Sequence, residues 1–190
     1  MTNTRRLTES AIFIAIALVL DLVSRIIPNM PQGGSITLAS MVPLLIISYR
    51  HGWKWGMFSA VIYGILKVML SNNFAWLPAG NFLYFAGVAL LDYIVAFGVL
   101  GLADLFRKPF KNKYAGYAVS CVLVMFLRFA CHFVSGIVIW TVLFPPELLQ
   151  YPWIFSLIYN GSYMLPNAII SVVVLVILAR YVKFERTELA

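Results

Sequence analysis

Six apolar runs, roughly residues 7–28, 36–50, 53–71, 80–106, 114–144 and 153–182, occupy almost the whole of this 190-residue chain. A bilayer core about 30 Å thick takes about 20 helical residues to cross, so a chain of this length holds at most about six or seven spans joined by short connections. With 62% hydrophobic and 11% charged residues, it lies far from soluble domains, which run near 45–50% apolar and about 25% charged. Lipid is the solvent such a chain requires. The expectation is an all-α integral membrane protein, one domain over residues 1–190, with six transmembrane helices and no room for a separate catalytic domain.

Breakers and charges mark the junctions. Pro28, Pro31 and Gly33-Gly34 end the first run, Arg50 to Lys54 mark the next turn, and Ser71-Asn72-Asn73 with Pro78 the third. Arg107 to Lys113 with Pro109 separate the fourth from the fifth, and Pro145-Pro146 the fifth from the sixth. Under this count Arg5/Arg6, Arg50/Lys54, Arg107/Lys108/Lys111/Lys113 and Arg180/Lys183/Arg186 all fall on one side, which the positive-inside rule makes cytoplasmic, so both termini are expected there. The loops on the other side, 29–35, 72–79 and 145–152, hold no Lys or Arg and one acid, Glu147. The net charge of +7 is thus a rim between spans, not a nucleic-acid patch. The first run lacks a small-residue cleavage site and carries Asp21 and Arg25, and so reads as a retained helix rather than a signal peptide. Cys121 and Cys131 sit ten residues apart in one apolar run, too far along a single helix to form a disulfide.

An ionisable side chain inside a span costs about 2.5–3.5 kcal/mol on insertion scales, so each needs a partner or a task. Asp21 and Arg25 are four apart and can pair with each other. Lys67, near the outer end of its run, can snorkel. Asp92 has no basic neighbour on its own helix and is followed by Tyr93. On the fifth run Arg128, His132, Gly136 and Trp140 recur every four residues and form one stripe toward the external end. Each has a plain alternative: Arg128 as the partner of Asp92, His132 as a satisfied core residue, Gly136 as a packing glycine, Trp140 as an interfacial anchor. Their coincidence on one face favours the wall of a pocket. The sixth run adds Tyr159, Asn160, Ser162 and Tyr163. The short second run, preceded by a polar, glycine-containing stretch, is the kind of interrupted segment that borders a cavity.

Aromatic faces suit a flat or cationic ring, a carboxylate suits an amine or ring nitrogen, and an amide fixes orientation. The expected ligand is small, aromatic and cationic. Catalytic readings find little support. The sequence has no phosphate-binding glycine-lysine loop, no metal-spaced His/Cys/Glu set, and only two histidines, His51 and His132, expected on opposite membrane sides. A Ser162–His132 protease lacks a recognisable nucleophile motif.

Four stretches occur in order: Met30-Pro31-Gln32-Gly33-Gly34-Ser35; Leu91-Asp92-Tyr93-Ile94-Val95-Ala96-Phe97; Arg128-Phe129 with His132-Phe133 and Ser135-Gly136; and Ser156 to Met164. With them the chain resembles, nearly end to end, the thiamine-specific substrate-binding component of energy-coupling factor transporters. The resemblance implies a six-helix protein in the bacterial cell membrane that captures thiamine outside. It implies delivery while docked on a transmembrane coupling protein and two ATP-binding subunits, with no cofactor and no hydrolysis by this chain. It carries over Asp92, Tyr93, Arg128, His132, Gly136, Trp140 and Asn160 as the binding set, with Asp92 on the aminopyrimidine and aromatic residues stacked on the rings. Some relatives have a tryptophan where this chain has Gly33-Gly34, a tyrosine where it has Phe155, and often a glutamate where it has Asp92. The family docks through small residues on the first helix; here Ala11 and Ala15 are four apart, with Ala17 nearby. The competing mechanism is a stand-alone carrier that uses Asp92 or His132 as a proton relay.

Overall fold

The computed structural model describes residues 3–28, 30, 34–71, 82–143, 147 and 150–184. Pro31, Gln32, Gly33, Asn72, Asn73, Pro78, Pro145, Pro146 and Arg186 lie outside the described residues, as does all of the expected loop 72–79. Among the described residues there are six helices and no strand. The helices are α1 (Asn3–Ser24), α2 (Val42–His51), α3 (Trp53–Leu70), α4 (Phe82–Arg107), α5 (Lys113–Val138) and α6 (Pro152–Tyr181), with a 3₁₀ turn, Trp140–Leu143, after α5. By length and composition α1, α4, α5 and α6 can each cross a membrane. Ile12 and Val19 on α1, Phe126 on α5, and Ile158 and Leu165 on α6 point outward. That much exposed apolar surface is stable against lipid and a liability in water.

Local chemistry sets the helix ends. Pro152 and Pro43 sit in the first turns of α6 and α2, where a missing N–H is harmless. The Asn112 side chain caps α5 by accepting from the amides of Tyr114 and Ala115 at 2.9 and 3.2 Å. α1 stops at Ser24, four residues short of the expected end, because Pro28 disfavours helical backbone just before it. α2 starts at Val42 rather than near 36, since residues 34–41 form a non-helical approach with Ala39 at φ 58°.

That approach runs inside the bundle, where its backbone has no water. Side chains of the long helices satisfy it. The Thr37 amide donates to Asn167 Oδ1 at 2.7 Å, Asn167 Nδ2 donates to the Ser35 carbonyl at 2.9 Å, the Leu38 amide donates to Ser24 Oγ at 2.7 Å, and the Gly34 amide donates to the Tyr159 hydroxyl at 3.0 Å. Irregular backbone is thus tolerated at this depth only because protein groups replace water. Ten-residue α2 rises only about 15 Å, short of a full span.

α4 is not uniform. Residues Ala89–Val95 are π-helical and Val99–Leu102 are 3₁₀. The wider π turn carries Asp92 and Tyr93, both buried. Helix α3 packs against α4 by backbone approach: a Cβ on Gly101 would lie 2.0 Å from the Met57 nitrogen, and one on Gly64 would lie 2.7 Å from the Tyr93 carbonyl oxygen. Ser48 of α2 joins this contact, donating to the Gly101 carbonyl at 2.6 Å.

The basic junctions gather at one end. Glu9 is bridged by Arg5 and Arg50, each at 3.3 Å, and Arg50 reaches the Lys183 carbonyl at 3.5 Å. Tyr49, Tyr117 and Phe184 pack ring against ring beside them, and Arg107 lies over Tyr117. One end of the bundle therefore carries the start of α1, the α2–α3 and α4–α5 junctions and the end of α6. This is the grouping that the positive-inside reading requires.

One expected pairing and one expected snorkelling are corrected. Asp21 does not pair with Arg25: its carboxylate meets Lys67 of α3 at 2.6 Å, while exposed Arg25 donates to the Leu70 carbonyl at 3.3 Å. Lys67 does not snorkel. With 17% of its side chain exposed it has more to gain from a carboxylate than from distant water.

Candidate functional site

At the end of the bundle away from the basic cluster, a partly open cavity of about 180 Å³ is lined by α1, the approach to α2, and helices α3 to α6. All seven expected site residues, Asp92, Tyr93, Arg128, His132, Gly136, Trp140 and Asn160, line it. The stripe on α5 holds together although the α-helix ends at Val138, because Trp140 lies in the 3₁₀ turn that follows and still faces the same space.

Asp92 organises one wall. Its Oδ1 lies 2.8 Å from His132 Nδ1, and its Oδ2 accepts from the Ser135 hydroxyl at 2.7 Å and from the Trp140 indole N–H at 2.8 Å. The π turn of α4 thus places a buried carboxylate opposite α5, where it fixes the histidine ring and the tryptophan plane at once. The expected alternative, Arg128 as the partner of Asp92, is not what the structure has. The Arg128 guanidinium lies 3.8 Å from the centre of the Phe97 ring, and its Nη1 approaches the Met41 sulfur at 3.6 Å. Among the described residues, Arg128 Nε and His132 Nε2 are buried without a hydrogen-bond partner. A buried guanidinium held by a ring face and a sulfur is left with donors for an oxygen-bearing ligand group.

The opposite wall comes from α6. Asn160 Oδ1 accepts from the Tyr163 hydroxyl at 2.6 Å, and its Nδ2 donates to the Ser156 carbonyl at 3.0 Å. Tyr159 stacks on Phe155 with centroids 5.8 Å apart, and Tyr163 meets His132 edge-on at 6.2 Å. Gly136 brings these walls together: a Cβ there would fall 2.2 Å from Ser156 Oγ and 3.2 Å from Asn160 Nδ2. Its position is that of a packing glycine as well as a lining residue. Tyr93 turns its hydroxyl to Ser71 at 2.6 Å. Ser162 is exposed and donates to the Tyr159 carbonyl at 2.6 Å, so it makes no nucleophile pair with His132.

Sequence reading missed several lining residues. Asp21, Arg25 and Lys67 bring a second set of charges to the cavity from α1 and α3, Ser24 of α1 adds a hydroxyl, and Thr37, Met41 and Asn167 come from the approach to α2 and from α6. Asp21 and Lys67 carried a signal, as charges inside spans, but Arg25 on the same helix as Asp21 and the snorkelling open to Lys67 hid the cross-helix pair. Ser156, which lines the cavity, stood within a motif stretch but carried no pocket signal of its own, since a single serine in a membrane helix usually bonds its own backbone.

The chain matches the family model described as "Thiamine transporter protein (Thia_YuaJ)" over residues 7–185. It is 38% identical over 182 residues to the thiamine transporter ThiT of Bacillus subtilis strain 168, covering 91% of this chain and 89% of that protein. It is 27% identical over 180 residues to the thiamine transporter ThiT of Lacticaseibacillus paracasei, covering 90% and 84%. A solved structure of ThiT from Listeria monocytogenes shares the fold, with a TM-score of 0.74 at 22% identity over 97% of this chain and all of that one.

Proposed function

This chain belongs to the thiamine transporter protein family (Thia_YuaJ), and on that premise we propose that it captures thiamine in the cavity beside Asp92 and passes it into the cell. The observation that carries this reading is the Asp92–Trp140 unit. A buried carboxylate, oriented by three donors, stands at the edge of a cavity with tryptophan, tyrosine and phenylalanine on its walls. An aminopyrimidine offers that carboxylate an N–H, and a thiazolium ring offers those faces a delocalised cation. Arg128, with its unpartnered Nε, suits the hydroxyl at the other end of the molecule.

Titration of detergent-purified protein with thiamine, followed by tryptophan fluorescence, is expected to give saturable quenching that is lost in Trp140→Ala. The chain has five tryptophans, so that variant is what assigns the signal. Absence of binding by calorimetry on folded protein would overturn the proposal.

Delivery is assigned to an energy-coupling factor assembly, in which this chain docks on a transmembrane coupling protein and two ATP-binding subunits. Ala11 and Ala15 support a docking face on α1, because both are exposed, while Ala17 is fully buried and belongs to the protein's own core. Ala11→Leu with Ala15→Leu is expected to leave thiamine affinity intact and to abolish ATP-driven uptake when the other subunits are present. Uptake at the unchanged rate would remove these residues from the interface. Accumulation of thiamine by the chain alone in proteoliposomes, driven by a proton gradient, would overturn the need for ATP-driven partners.

A further inference from the structure

An ionised carboxylate has about four lone-pair positions. In Asp92 three are in use, one on Oδ1 facing His132 and two on Oδ2 facing Ser135 and Trp140. His132 and Trp140 also line the cavity, whereas Ser135 does not and is 0% exposed. A serine inside a helix commonly donates to its own backbone one turn earlier, and Ser24 and Ser120 of this protein do so, to the carbonyls of Leu20 and Tyr117. Ser135 instead sends its hydroxyl across to α4, to a residue 43 positions away. The contact is made from α5, one residue before Gly136, where α5 and α6 approach so closely that Ser156 fills the space a Cβ would need.

We infer that Ser135 is a positioning residue. By filling Oδ2 together with Trp140, it leaves Asp92 one free acceptor position, on Oδ1 beside His132, and thereby selects ligands that present an N–H there. This rests on the thiamine reading above. The Ser135 hydroxyl touches no ligand and acts through Asp92. With both oxygens facing donors, the carboxylate serves only as an acceptor, matching the 4-amino group of thiamine and rejecting the carbonyl of a 4-oxo pyrimidine. Without the Ser135 donor, Oδ2 is held by Trp140 alone. The carboxylate can then turn away from its fixed orientation, which relaxes the selection.

The test is competitive binding of thiamine and of its 4-oxo analogue, oxythiamine, to the wild type, Ser135→Ala, Asp92→Asn and the double variant. Ser135→Ala is expected to weaken thiamine by roughly tenfold or more, the scale of one hydrogen bond to a charged group. Oxythiamine should weaken less or tighten, so that the preference between the two ligands shrinks. In the Asp92→Asn background Ser135→Ala should change neither affinity. Ser135→Cys, close in volume and a poor donor, carries the same comparison if the alanine variant fails to fold. Equal weakening of both ligands, or the same loss with and without the Asp92 carboxylate, would make Ser135 a packing residue and overturn the inference. A wild type that binds neither ligand would instead defeat the thiamine reading, and this inference with it.

Discussion

Asp92→Asn is expected to weaken thiamine binding by about a hundredfold, roughly 3 kcal/mol, which calorimetry on the folded variant reads directly. The loss follows from the donors around the side chain. An asparagine has one acceptor oxygen and one NH₂ group, whereas His132, Ser135 and Trp140 all face oxygens of Asp92 in this structure. If the amide oxygen turns to Ser135 and Trp140, the NH₂ faces His132 and the incoming amine, donor against donor. If it turns the other way, the indole N–H is left without an acceptor and the tryptophan plane is no longer fixed. Either way the substitution disturbs Trp140 as well as the ligand contact. The effects of Asp92→Asn and Trp140→Ala should therefore be strongly non-additive, with the double variant little worse than the worse single one. Additive losses would show that the carboxylate and the ring act separately. The same cage bears on the length of this side chain, as a glutamate at position 92 shows. One more methylene would drive the carboxylate into the space that His132, Ser135 and Trp140 share in this chain, so those side chains and the aspartate are matched to each other.

The membrane architecture and much of the cavity wall were legible in the sequence for one physical reason. Lipid imposes a strong and local rule, so apolar runs mark spans and any polar residue within them stands out. Asp92, Arg128, His132 and Asn160 were visible for that reason, and the four-residue spacing from Arg128 to Trp140 placed a stripe on one helix face. Pairings between helices were not legible. Asp21 had an attractive neighbour in Arg25 on its own helix, and only the packing of α1 on α3 shows that Lys67 is closer. Arg128 had one obvious acid to pair with, yet Asp92 is already filled by His132, Ser135 and Trp140, and the guanidinium turns to Phe97. Nor does the pattern of residues 89–95 announce a π turn, which shifts the phase of everything after it and brings Asp92 and Tyr93 inward together. The late start of α2 was hidden for a related reason. The apolar residues from 36 onward fit a helix, but Asn167 on α6, 130 positions from Thr37, offers the non-helical backbone its hydrogen bonds.

Gly101→Ala is expected to destabilise the protein by roughly 3 kcal/mol or more, seen as a drop of about 10 °C in the unfolding midpoint in detergent. The added Cβ would lie 2.0 Å from the Met57 nitrogen and 2.4 Å from the Gly56 carbonyl carbon, and both obstacles are backbone that cannot rotate away. Helices in lipid have no hydrophobic force between them and depend on this kind of close approach. α3 must therefore move off α4, or α4 shift and strain the 2.6 Å bond that its Gly101 carbonyl accepts from Ser48 of α2. Gly161→Ala is the matched control. A Cβ there meets nothing within 4 Å, and alanine is the better helix former by about 1 kcal/mol, so its midpoint should hold or rise. The damage from Gly101→Ala should also reach the cavity. Two turns toward its other end, α3 again touches α4 where Gly64 lies under the Tyr93 carbonyl, in the π turn that carries Asp92. Thiamine affinity should then fall in a variant whose altered residue does not line the site. Equal midpoints for the two alanine variants would show that the α3–α4 contact yields more easily than its backbone geometry allows.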